Sequence, residues 1–490
     1  MKASILIAVV LAVVGTAQLR AASIAVTTTN DSGPGSLRDA LASVADGDTI
    51  DASGVSGTIL LTNGELLVTN SVDIIGPGPD MLAVDGNATN RVFHLSISSN
   101  AVVRISSLSI NNGAVGPFDY GGGIYNDSGT MTVSNCTFSG NSAGGGGGVY
   151  NSGPNMQIVS CTLSNNSGFF FGGGGIDNYG ANAQIINCVL NSNVAHSYFC
   201  EGGGVHNGGV GETQIINCTL SDNSADAGGG IANDSCAQII NCTLSDNSSE
   251  TDSSGRPLGE GIANFGSLAI GSTVIKEGII HEPADGIDIY SRGTVISLGY
   301  NLTTQAAGGN DKTGPGGFFN AAGDIRNTDP HLGPLEDNGG PTLTRALLHG
   351  SPAINKGKNF GGLTTDQRGV EFVRTFDEPT VRNAKGGDGT DIGAFELQDL
   401  RTGPWTAQIA GLQTLVRQLD LNSKVEKQFL GRLRSIQTQA SRGNMKQACL
   451  QLSVLQQMSQ HLLRRGGITQ TEAITIATNV TQAMGALGCP

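Results

Sequence analysis

Gly121-Gly-Gly-Ile-Tyr-Asn126, Gly146-Gly-Gly-Val-Tyr-Asn151, Gly173-Gly-Gly-Ile-Asp-Asn178, Gly202-Gly-Gly-Val-His-Asn207 and Gly228-Gly-Gly-Ile-Ala-Asn233 are one block written five times, with a decayed copy at Gly261-Ile-Ala-Asn264. Their final asparagines stand 25, 27, 29, 26 and 31 residues apart by residue number. A second block follows each of the five: Asn135-Cys136, Ser160-Cys161, Asn187-Cys188, Asn217-Cys218 and Asn241-Cys242, each continued by Thr or Val and then Phe or Leu. A further asparagine lies five residues beyond every one of these cysteines, at Asn141, Asn166, Asn193, Asn223 and Asn247. A fixed period of this length marks a repeat architecture.

Within a repeat the apolar residues alternate with period two and then slip phase. Met131 and Val133 share one face, the slip comes at Asn135, and Cys136 and Phe138 return to the same interior. In a strand such a slip requires a bend, because otherwise the second pair would point outward. Asparagine tolerates left-handed backbone and bonds local main chain, so it suits the corners. Three short strands and three corners per turn predict a right-handed parallel β-helix, with coils roughly 4.8 Å apart and asparagines stacked into amide ladders. Asn126, Asn151, Asn178, Asn207 and Asn233 are the expected rungs. Cys136, Cys161, Cys188, Cys218 and Cys242 form a matching column, read as inward thiols behaving as small hydrophobes. Disulfides between adjacent coils are the alternative, and the pairing of Cys200 and Cys236 stays open.

The remainder of the 490 residues divides around this repeat. Residues 1–22 read as a secretory signal, with Lys2 ahead of the apolar run from Ile5 to Val14 and small residues after it. That run is too short for a membrane anchor, and no other stretch suffices. The expectation is therefore an exported chain, extracellular, at the cell surface or periplasmic, with no transmembrane segment in the mature form. Residues 23–120 hold an N-terminal cap with a short helix near Leu37, then glycine-poor first coils. Residues 121–320 are the repeat proper, and 321–400 a turn-rich segment expected to cover the open end of the stack. Residues 404–490 change to helical periodicity and predict a small four-helix bundle, with capping boxes at Ser423-x-x-Glu426 and Thr469-x-x-Glu472. Cys449 and Cys489, the two cysteines of the bundle, are expected to pair in an oxidising compartment.

Three stretches resemble known families of secreted β-helix proteins. Val26 to Leu41 with Gly47-Asp-Thr-Ile50 resembles the CSLREA-type N-terminal region, departing at Gly35 where that family carries cysteine. The glycine–asparagine blocks resemble the repeats of polymorphic outer-membrane proteins, which implies adhesion. Asp329 to Thr342, Ala346 to Ile354, Asp366-Gln-Arg-Gly369 and Asp391-Ile-Gly-Ala-Phe-Glu396 resemble the choice-of-anchor Q region. The tail, with Gly443-Asn444, Cys449 and Leu487-Gly-Cys489, is similar to a helical module at the ends of secreted bacterial proteins. These resemblances carry no catalytic residue.

Composition narrows the function. A formal charge of −14 excludes the clustered Lys and Arg that a nucleic-acid partner needs. Asn327-Thr-Asp329 has the letters of a pectin-hydrolase motif, but the paired aspartates and Gly-His-Gly that should follow are missing. His206 and His281 lack metal-ligand spacing and read as surface or turn residues. No cofactor is expected; Ca²⁺ is the one cation entertained, at Asp222 and Asp246 on successive coils, where solvated acids are the plainer account. The aromatic runs Phe169-Phe170-Phe171 and Tyr198-Phe199 fall in loops of neighbouring coils and are the candidate carbohydrate-binding residues. The leading expectation is a non-catalytic adhesion or ligand-binding protein, its partner an extracellular polysaccharide or a cell surface. A polysaccharide lyase or glycoside hydrolase with a divergent site is the alternative.

Overall fold

Each coil turns where its hydrophobic phase slips. Asn135, Ser160, Asn187, Asn217 and Asn241 occupy the five equivalent positions, and all have φ between 49° and 55°. This is the left-handed region that short polar side chains tolerate best. The bend lets Met131 and Val133 before it, and Cys136 and Phe138 after it, all point into one core. A second left-handed corner follows at Gly140, Asn165, Ser192, Asp222 and Asp246.

The chain is described from a computed structural model, for residues 21–195, 200–250, 258–277, 288–305, 317–398, 405–419, 421, 423–440, 445–487 and 489. Its body is a parallel β-solenoid of about ten turns. Three long sheets of 11, 10 and 9 strands run the length of the stack, and every neighbouring pair in them is parallel. A fourth sheet of five short strands, including Ser142–Gly145 and Ser167–Gly172, adds a side to the middle coils. This corrects the expectation of three strands per turn. The extra side lies between the second corner and the next glycine block, as Ser142–Gly145 does between Gly140 and Gly146.

The asparagines divide the work in a way the repeat alone did not reveal. The left-handed corner belongs to the Asn135 series, while the two other series build the ladders. Asn126 Nδ2 donates to Asn151 Oδ1 at 2.7 Å, and the chain of amides continues through Asn178, Asn207 and Asn233 to Asn264. The second ladder runs from Asn141 through Asn166, Asn193 and Asn223 to Asn247, each step 2.9 Å. All these side chains are buried, so each amide both donates and accepts where no water can substitute. Glycine is required beside them. Gly146 has φ +62°, and a Cβ on Gly147 would stand 2.4 Å from the Ser167 carbonyl oxygen of the next coil.

Cys136, Cys161, Cys188, Cys218 and Cys242 are buried free thiols among the solenoid's apolar side chains. The Sγ atoms point back to main-chain carbonyls, as Cys136 does to Ser134 at 3.3 Å. Burial pushes the Cys136, Cys161 and Cys218 thiols well up, consistent with packing residues rather than reactive ones. Cys200 and Cys236 are not joined by a disulfide; the first is buried and the second exposed.

Helix α1 (Leu37–Ser43), capped by Ser36, packs Leu37, Ala40 and Leu41 into the first coils. At the other end Phe319 joins the same core and Ile325 bridges to Leu302. The rest of the turn-rich segment does more than close the stack: it folds back along the flank of the 10-stranded sheet. Thr219 Oγ1 donates to Gln367 Oε1 at 2.6 Å, and the Ala394 N–H donates to Thr243 Oγ1 at 3.0 Å. The motif residues hold this segment together: Arg368 meets Asp366 at 2.6 Å and lies between the rings of Phe372 and Phe395.

The C-terminal helices α2 (Trp405–Gln418), α3 (Ser423–Ala440), α4 (Met445–Arg464) and α5 (Gln470–Ala486) enclose a separate core including Leu412, Phe429, Leu452 and Val480. Thr469 and Glu472 form the reciprocal capping box, whereas α3 begins at Ser423 itself. Cys449 and Cys489 are joined by a disulfide. Among the described residues no helix is long and apolar enough to cross a membrane.

Candidate functional site

In the block Gly-Gly-Gly-Ile/Val-x-Asn the residues flanking x are buried, and x itself points out of the coil. Parallel pairing in strict register stacks these positions into one column on the 9-stranded sheet. The column reads Leu67, His94, Tyr125, Tyr150, Asp177, His206, Ala232, Ala263 and Tyr290.

Aromatic rings gather around its first half. His94 stacks on Tyr125 with centroids 5.0 Å apart, and Tyr120 stacks on Tyr150 at 4.3 Å. Phe171 meets Tyr120 at 5.2 Å, and Tyr179 meets Tyr150 at 5.8 Å. Four of the chain's seven tyrosines therefore gather around this first half. Phe171 and Tyr179 remain 36 % and 43 % exposed, enough for a ligand to reach their ring faces. Arg91 lies over the Tyr125 ring at 5.1 Å and pairs with Glu65, which also bonds His94 Nδ1. Burial pushes the Tyr150 and Tyr179 phenols up, so both remain neutral.

The second half is polar. His206 Nδ1 bonds Asp177 Oδ1 at 2.8 Å, and Nε2 faces Asp234 Oδ2 at 3.3 Å. Glu201 completes the group: one ligand atom each from Glu201, His206 and Asp234 lies within 4.8 Å of the others. Burial pushes Asp177 up to about 6 against the pull of His206, and Glu201 up to about 7. Burial works against the His206 imidazolium, but Asp177 and Asp234 outweigh it and raise the ring to about 10. The pair Asp177–His206 is thus ionic near neutral pH.

The structure redistributes the residues singled out by sequence. Phe169, Phe170 and Phe171 lie in the strand Ser167–Gly172 beside the ring column, Phe171 within it and Phe170 stacked on Phe118 at 5.2 Å. Tyr198, Phe199, His281 and residues 1–20 lie outside the described residues. Asp222 and Asp246 sit on successive left-handed corners, and Arg345 of the folded-back segment reaches both, at 3.3 and 2.8 Å. A guanidinium thus lies where a cation was considered. His206 is not the surface residue expected; it is 3 % exposed, enclosed because neighbouring coils supply Asp177 and Asp234. The ring column was missed because its members lie 25 to 31 residues apart in the chain. Reading down the variable slot of the repeat, Tyr, Tyr, Asp, His, Ala, would have exposed it.

A shallow groove of about 510 Å³ runs over the 11-stranded sheet, floored by a third amide row in which Gln157 donates to Gln184 and Gln184 to Gln214. It offers hydrogen bonds but no rings. Comparison of the chain with known proteins finds no matching family model, curated protein or solved structure.

Proposed function

We propose that the chain is an exported, non-catalytic solenoid that binds an extended, neutral polysaccharide on the ring column of its 9-stranded sheet. The observation that carries this reading is the continuous contact of Phe171, Tyr120, Tyr150 and Tyr179 on one face, with Phe171 and Tyr179 exposed. Rings whose faces stay accessible stack on the apolar faces of sugars, while nearby polar groups orient hydroxyls. A ligand that runs along a stack of coils meets a new side chain roughly every 4.8 Å, which suits a linear polymer. The preference for a neutral glycan comes from Asp177, Glu201 and Asp234 at one end of the column and the net charge of −14, both of which repel uronates. Export, and attachment or adhesion at a cell surface, rest on the signal-like N-terminus and the resemblance of the opening, repeat and closing segments to secreted β-helix families.

The test is an affinity screen of the full chain against neutral and acidic polysaccharides, repeated with Phe171→Ala and Tyr179→Ala. Each substitution is expected to weaken neutral-glycan binding roughly three- to ten-fold, as removal of one stacking ring does. Binding that ignores both substitutions would move the ligand to another face.

A second reading, cleavage of the bound glycan, is favoured by one observation. Glu201 is a carboxyl pushed up to about 7, the range of a general acid. Release of reducing ends by the wild type, abolished by Glu201→Gln, would establish it.

A further inference from the structure

We propose that His206, Glu201 and Asp234 form a binding site for a divalent first-row transition metal of the Zn²⁺ class, with Asp177 as the positioning residue behind the histidine. Three features point there. Asp177 accepts the Nδ1 proton of His206 at 2.8 Å, which turns Nε2 toward Asp234. A carboxylate behind a histidine is the arrangement that fixes the tautomer of metal-ligating imidazoles. Nε2 and Asp234 Oδ2 are 3.3 Å apart, long for a charge-assisted hydrogen bond yet about the edge of a tetrahedron whose ligands stand about 2.05 Å from a central ion. Glu201 then has to close by no more than about 1.5 Å to reach the same centre, from within the 4.8 Å that now encloses all three ligand atoms.

The charge balance of the cluster is a further sign. Asp177 is 0 % exposed, and its Oδ2 has no hydrogen-bond partner among the described residues. One imidazolium therefore faces the carboxyl groups of Asp177, Glu201 and Asp234, and a divalent ion taking the place of its Nε2 proton would balance them. The donor set decides the ion. One imidazole nitrogen and two carboxylates suit Zn²⁺, Co²⁺ or Mn²⁺, whereas Ca²⁺ and Mg²⁺ take oxygen ligands alone. Three protein ligands leave a fourth position for water or for a hydroxyl of a bound ligand.

Zn²⁺ and, as a spectroscopic probe, Co²⁺ are titrated into the chelator-treated full chain. The expected result is one equivalent bound in the micromolar range or tighter, with the intense visible bands of tetrahedral Co²⁺. His206→Gln and Asp234→Asn should each weaken binding at least 100-fold, and Asp177→Asn roughly 10- to 100-fold. Cys236→Ser, which removes the exposed thiol, should leave it unchanged. Asp234 has a side chain 41 % exposed, so its variant keeps the test valid if the buried His206 variant does not fold. Absence of Zn²⁺ and Co²⁺ binding, or binding that survives Asp234→Asn and Glu201→Gln but is lost in Cys236→Ser, would overturn the proposal.

Discussion

The main-chain N–H of Asn247 donates to the Glu277 carboxyl at 2.7 Å, so the second amide ladder ends on an acid rather than on another amide. Glu277 is buried, with Asp288 nearby, and both features push its pKa well above 4.5. In the unfolded chain the same carboxyl ionises near 4.5. Above that pH the unfolded state holds fewer protons than the folded one, so this group's contribution to stability falls as pH rises, until the folded pKa is passed. The slope is up to about 1.4 kcal/mol per pH unit. Glu277→Gln keeps the acceptor and removes the titration. Its urea midpoint should match the wild type in mild acid and exceed it in mild alkali.

Asn151 accepts from Asn126 and donates to Asn178 in a site closed to water. Asn151→Ala takes the acceptor from one Asn126 amide hydrogen and from the Gly153 N–H, and the donor from Asn178 Oδ1. Three broken buried bonds should cost about 3 kcal/mol. The control is Asn155→Ala on the exposed rim of the next strand, expected within about 0.5 kcal/mol of wild type. Denaturant melts followed by circular dichroism compare the two.

Arg345 ties the folded-back segment to the corners at Asp222 and Asp246 and also donates to Ser221 Oγ at 2.7 Å. Both carboxylates remain partly solvated, so Arg345→Ala should lower stability by only about 1 kcal/mol. Ca²⁺ should leave the wild-type melting temperature unchanged and raise that of the variant, whose two acids are then free of the guanidinium. Thermal melts in Ca²⁺ and in chelator check both statements.

The Cys449–Cys489 bond closes a separation of 40 residues within the helical core. Loop-closure entropy gives it about 4 kcal/mol. Cys489→Ser should lower the helical melting transition and leave the β-solenoid transition in place, because the two cores are distinct clusters. Far-ultraviolet circular dichroism at a helical and a strand wavelength distinguishes the two.

The solenoid was legible because its constraints repeat. A corner that must be left-handed, a rung that must bond above and below, and a glycine pressed against the next coil each restrict one position. The same letters therefore return every 25 to 31 residues. The Cys449–Cys489 bond and the four helices were legible from local pattern alone. The fourth sheet was not, since its strands are short and several consist of two residues such as Val194–Ala195. Nor was the return of Gln367 and Ala394 to the flank of the stack, a contact spanning 148 and 151 residues. His206 was misread because its partners Asp177 and Asp234 belong to other coils, and no local spacing announces a vertical neighbour.

The outward column Leu67, His94, Tyr125, Tyr150, Asp177, His206, Ala232, Ala263, Tyr290 separates architecture from chemistry in an unusual way. Every rung is set by buried neighbours on either side, so a substitution at an exposed slot such as Leu67 leaves register and core untouched, whereas Asp177 and His206 are themselves buried. Such a face can be rewritten one letter at a time, and duplicating a coil would lengthen it by one rung. The protein is in this sense a typesetter's frame: the Gly and Asn letters hold the line straight, and the text between them is free to change.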